Sequence, residues 1–143
     1  MSREYIKVET SNLAMNVQVN QGVVGDIAKL MMHRLIVRQI RRDPSLLDRA
    51  RAAQAKIAER FEGRPFVNEW NELLKLPPEQ LLSRLTSRDS EMARLRSSSP
   101  FGLTEGVDFS DYDLRIRIRR AAKRVAERSF ARHIDKFAPA DFR

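Results

Sequence analysis

Few side chains in this 143-residue sequence are equipped for chemistry, and they are dispersed. The two histidines, His33 and His133, lie far apart in the chain. Four residues from each stand Lys29, Val37, Ser129 and Phe137, none of them a usual metal ligand. Each imidazole therefore reads as a packing or helix-surface group rather than a ligand or a base. Asp108, Asp111 and Asp113 cluster in a loop. The later glycine and distal glutamate of a calcium loop are missing, so a solvated, helix-capping turn accounts for them better. Five scattered glycines form no phosphate loop. There is no nucleophile elbow and no paired-carboxylate signature. The absence of cysteine excludes thiolate metal sites and disulfides. The chain reads as one without catalytic residues, metal or cofactor, acting by binding.

Charge is the strongest chemical signal. Lys and Arg number 27 against 19 acidic residues, a net charge of +8. Much of it gathers near the C-terminus, in Arg115, Arg117, Arg119, Arg120, Lys123, Arg124, Arg128, Arg132 and Lys136. Arg117, Arg120, Arg124 and Arg128 recur at helical spacing and so form a row. Such a row can neutralise phosphates, each contact releasing counterions. It can equally pair with carboxylates on an acidic protein surface, or be a plain solvated face.

The elements that must position these groups are mostly helical. The expected fold is all-α: a small domain of about five to six helices, with a short extended N-terminal segment over 1–22. Apolar spacing predicts helices over Gly25–Arg42, Pro44–Glu62, Pro65–Leu76, Pro78–Leu85, Ser90–Arg96 and a basic helix over 112–137. Pro44, Gly63, Pro65 and the Pro77-Pro78 pair punctuate them. Residues 23–143 make one helical domain on this reading. The last helix carries the stripe Leu114, Ile118, Ala121, Ala122, Val125, Ala126, Phe130, Ile134 and Phe137, although Leu114–Ile118 also alternates like a strand. The first predicted helix is apolar on much of its surface, which points to burial on several sides or to a homo-oligomer interface.

Residues 4–20 alternate apolar and polar in Tyr5–Val8 and Met15–Asn20, the period of a half-buried strand. Asn20-Gln21-Gly22 then supplies a turn. A strand with Asn16, Gln18 and Asn20 outward, followed by helices, is the order of a ribbon-helix-helix DNA reader, since amide side chains suit adenine edges. A strand that simply packs, or pairs with a partner, fits the same pattern.

The central segment carries a resemblance. It runs Phe66-Val67-Asn68-Glu69-Trp70-Asn71-Glu72-Leu73-Leu74, then Pro77-Pro78-Glu79, Leu85-Thr86-Ser87, and Glu91-Met92-Ala93-Arg94-Leu95-Arg96-Ser97-Ser98-Ser99-Pro100-Phe101. This resembles a module of small bacterial antitoxins from two-gene toxin–antitoxin operons. It has a glutamate-tryptophan and leucine pair, a proline-initiated helix, and an ending of the form met-x-x-leu-arg-x-x-ser-pro-phe. The resemblance implies a partner rather than a substrate: a cognate toxin enzyme whose active site the antitoxin covers. It further implies Trp70, Arg94, Arg96, Ser99, Pro100 and Phe101 as partner-binding residues, and operator DNA as a second ligand. From packing alone, Trp70 is a core anchor or an interface hot spot, and Phe101 is tucked in or presented.

The longest apolar region, Val23–Ile40, is broken by Asp26, Lys29, His33, Arg34 and Arg38. It falls short of the ~20 continuous apolar residues a bilayer span needs. Met1–Glu9 carries charges of both signs without an apolar run, unlike a signal peptide. With no cysteine, these features fit a cytoplasmic protein.

Overall fold

Proline and glycine set most of the helix boundaries. A computed structural model describes the backbone of residues 2–137 and the side chains of residues 21–132. Among the described residues, six α-helices and one 3-10 turn run in the order α1 Ser2–Arg42, α2 Leu46–Arg60, α3 Pro65–Leu74, α4 Pro78–Leu85, α5 Ser90–Arg96, the 3-10 turn Pro100–Leu103, and α6 Tyr112–Phe137. Among the described residues there is no strand. No described helix is long and apolar enough to cross a membrane.

α3 and α4 begin on Pro65 and Pro78, where a missing N–H costs nothing. The α2–α3 connection turns through Gly63 at φ 83°, a conformation that disfavours a side chain. Before α2, the Asp43 carboxylate accepts from the Ser45 backbone N–H and pairs with Arg49 at 2.8 Å. The hydrogen bonds from Ser45 and Arg49 hold the Asp43 carboxyl below its usual range. At α5 the cap is Asp89, which accepts from the Met92 N–H at 2.8 Å.

The all-α expectation holds, but the extended N-terminal segment is corrected. From Ser2 onward that segment lies inside α1, and Asn20-Gln21-Gly22 makes no turn. Alternation over four to six residues is too short to specify a strand, and no proline interrupts residues 2–42. A mid-helix glycine such as Gly22 or Gly25 costs only about 1 kcal/mol against alanine. The ribbon reading of Asn16, Gln18 and Asn20 falls with the strand. The boundary expected at residue 22 falls inside α1 as well.

The chain divides into two compact units. One joins the start of α1, to Ala28, with α6 from Arg117; the other comprises Lys29–Ile116. In the first, Val24 and Ala28 on α1 and Ile118, Ala122 and Ala126 on α6 are buried. Arg119 donates to Gln21 Oε1 at 2.7 Å. The small residues on α6 leave little to interdigitate, so two helices can approach closely there.

The core of the second unit is aliphatic around two aromatic rings. Ile36, Ile40, Leu46, Leu47 and Ala50 meet Leu73, Leu74, Leu81, Leu82, Leu85, Met92 and Leu95 around Trp70 and Phe101. α2 packs against both α3 and the 3-10 turn. Just after α2, Phe61 is exposed and its ring meets that of Phe66 at a tilt, 5.9 Å between centroids, whereas Gln54 on α2 is buried. Gln54 Nε2 donates to the Val67 carbonyl and to Asn71 Oδ1, each at 3.1 Å, which ties α2 to α3.

Candidate functional site

The three consecutive serines after α5 are engaged by α1, α3 and the 3-10 turn. Ser97 Oγ accepts from Lys29 Nζ of α1 at 2.9 Å. Ser98 Oγ donates to the Leu95 carbonyl and accepts from the Trp70 indole N–H of α3 at 3.2 Å. Ser99 Oγ accepts from the Phe101 N–H at 3.2 Å, capping the 3-10 turn, and meets His33 Nε2 of α1 at 2.8 Å. Pro100 fixes the backbone at the head of that turn. Phe101 is thereby driven inward, where its ring meets Trp70 and His33 edge-on, each at 6.3 Å between centroids.

The tautomer of His33 follows from its partners. Nδ1 lies 2.7 Å from the Lys29 carbonyl, which only accepts, so Nδ1 carries the proton. Nε2 therefore accepts from the Ser99 hydroxyl. A serine donating to an imidazole is the connectivity of a nucleophile and its base. Here the surroundings oppose that use. His33 is 4 % exposed. Burial first, and the nearby Arg96 cation after it, push its pKa down to about 4 against the pull of the Lys29 carbonyl. That imidazole is a weak base at neutral pH. Ser99 Oγ is occupied as a cap, and three grooves of this unit are lined by other residues.

Arg96 turns inward as well. It is 5 % exposed, and its guanidinium donates to the carbonyls of Leu85 at 3.2 Å and Ser87 at 2.7 Å, at the end of α4. A buried guanidinium that satisfies helix-end carbonyls joins α4 to α5. Arg94, two residues earlier, points out. It forms a two-pronged pair with Glu69 of α3 at 3.2 and 2.5 Å, which lowers the Glu69 pKa and raises that of Arg94.

Of the six residues implied as partner-binding, Trp70, Pro100 and Phe101 are fully buried, Arg96 is buried and Ser99 is half-buried. They stand in the interior and assemble the module; Arg94 alone of the six is exposed. Sequence reasoning read His33 as a packing or helix-surface group, but it named neither Glu69 nor Ser98 as a partner of these residues. His33 shares a helix face with Leu30, Ile36 and Val37, a signal that a buried imidazole needs a partner. Nothing local in the sequence names Ser99 as that partner.

On α6 the opposite holds. Arg117, Arg120, Arg124 and Arg128 are exposed, and none takes part in an ion pair among the described residues. Asp111 accepts from the N–H groups of Asp113 and Leu114 and so caps the helix. Ser110 binds Asp108 through its hydroxyl and N–H and holds that carboxyl below its usual range. Among the described residues no three metal-binding side chains gather. The side chain of His133 lies outside the described residues. No protein-family model, no curated protein and no solved structure matches the chain.

Proposed function

We propose that the chain is a non-catalytic binding protein of the antitoxin kind, which neutralises a toxin enzyme by covering its active site. The observation that carries the reading is the row Arg117, Arg120, Arg124 and Arg128, exposed on one helix and without a carboxylate partner among the described residues. Like charges three and four residues apart repel, and a partner's carboxylates relieve that repulsion. Guanidinium groups bind carboxylates in two-pronged geometry, which fixes orientation as well as attraction. The resemblance over residues 66–101 adds the class of partner. In this reading Arg94 is the exposed member of the six residues that the resemblance implies.

The test is co-expression with the product of the neighbouring reading frame. A complex that co-purifies, with relief of growth arrest, is expected. Reversing the row to glutamate is expected to abolish both while the chain stays folded. No complex and no relief would overturn the proposal.

A second reading, a nucleic-acid-binding regulator, is favoured by the same row. Four phosphate contacts on duplex DNA predict a slope of about −3.6 in log affinity against log salt. A titration of labelled duplex at two salt concentrations separates the readings. A steep slope at submicromolar affinity supports the regulator, and a salt-tolerant protein complex supports the antitoxin.

A further inference from the structure

An open groove of about 900 Å³ lies among α3, α4 and α5. Leu73, Leu76 and Leu95 form its apolar floor. Glu69, Glu72, Glu79 and Glu91 line it too, with Arg84 as the one cation of the lining. In a chain of net charge +8, four carboxylates thus stand along one groove. Three of these carboxylates hold a cation that is not part of the lining: Arg94 on Glu69, Lys75 on Glu72 at 3.1 Å, and Arg41 on Glu79 at 3.1 Å. Exposed pairs of this kind are weak and screened, so an incoming cation can share or replace such a partner readily. Glu91 is in no ion pair among the described residues.

We propose that this groove docks a short amphipathic helix of a partner protein, with leucine-like side chains on one face and Lys or Arg beside them. The apolar floor calls for aliphatic anchors, and the carboxylates around it call for flanking cations. The groove is wide enough for several aliphatic side chains and open to solvent, unlike an enclosed small-molecule pocket. A second copy's α6 offers the cations but not the anchors, because Ile118, Ala122 and Ala126 are already buried. The site is independent of the arginine row and goes beyond the function proposed above. It is lined by carboxylates rather than guanidinium groups and lies within Lys29–Ile116.

The probe is a labelled peptide of about fifteen residues with Leu and Lys at helical spacing, titrated with the full chain by fluorescence anisotropy. Its counterpart carries Glu for every Lys. The whole molecule repels a cationic peptide at long range, so capture reports local attraction. The Lys peptide is expected to bind at least about tenfold more tightly than the Glu peptide in about 0.1 M salt. The double variant Glu79→Lys with Glu91→Lys is expected to remove about tenfold or more of that affinity, with Glu79→Gln and Glu91→Gln intermediate. Both positions are exposed, and an unchanged unfolding midpoint verifies folding. Equal binding of the two peptides, or wild-type affinity in the reversed variant, would sink the proposal. So would a homodimer that the same variant dissociates, because the occupant would then be a second copy.

Discussion

Ser97–Phe101 and Arg117–Arg128 are both short, polar, charge-adjacent stretches, yet they use their polar groups in opposite directions. In and around the first, Ser98, Ser99, an indole, an imidazole and a guanidinium are turned onto one another or onto backbone carbonyls, and Ser97 accepts from Lys29. In the second, four guanidinium groups face solvent above a stripe of small apolar residues. The difference separates stability from recognition. A buried polar group left without its partner costs the full loss of its hydration, while an exposed cation loses almost nothing when truncated. Substitutions in the first stretch should therefore act on folding, and substitutions in the second on binding.

The sharpest break of that contrast is at the aromatic centre. Phe101→Ala or Trp70→Ala should cost about 3–5 kcal/mol in a urea or thermal unfolding experiment. A loss under ~1 kcal/mol would mean that the rings are not core anchors.

Acid should probe the same centre without a mutation. The His33 pKa is lowered to about 4 in the folded chain, against 6.5 for a free imidazole. Above pH 6.5 both folded and unfolded states hold it neutral, and its stabilisation is fully present. As pH falls from 6.5 to about 4 the unfolded chain binds a proton that the folded chain refuses. Stability should fall over that window by an amount on the order of 3 kcal/mol, then level for this group. His33→Gln should flatten the dependence between pH 7.5 and 5. An equal slope in wild type and variant would assign the acid sensitivity elsewhere.

Arg96→Met should cost about 2 kcal/mol, since two carbonyls at the end of α4 lose their donor. Calorimetry on the variant checks it, and a neutral result would show that water replaces the guanidinium. The smallest change is expected outside. Arg120→Gln with Arg124→Gln should alter the unfolding free energy by less than ~0.5 kcal/mol while weakening partner capture. Destabilisation comparable to that of Arg96→Met would erase the distinction between the two stretches.

Much of the helical order was legible in the sequence. α4 and α5 match their expected spans, and α6 ends where its apolar stripe ends, because proline, an Asp cap and 3.6-residue periodicity all agreed there. The arginine row was legible too, since helical spacing alone puts those residues on one side and charge keeps them in water. The N-terminal segment was not, because a few alternating residues suit a strand as well as a helix.

What the sequence determined by itself was therefore local: where helices start and stop, which faces are apolar, and how the charge is distributed. Tertiary structure alone decided that Ser99 answers His33, that Ser98 answers Trp70 and that Arg96 turns inward to α4 while Arg94 turns out to Glu69. These partners lie between nine and 66 residues apart. Residue type states that a buried polar group needs a partner, but only the packing of the helices brings a particular one within hydrogen-bond reach.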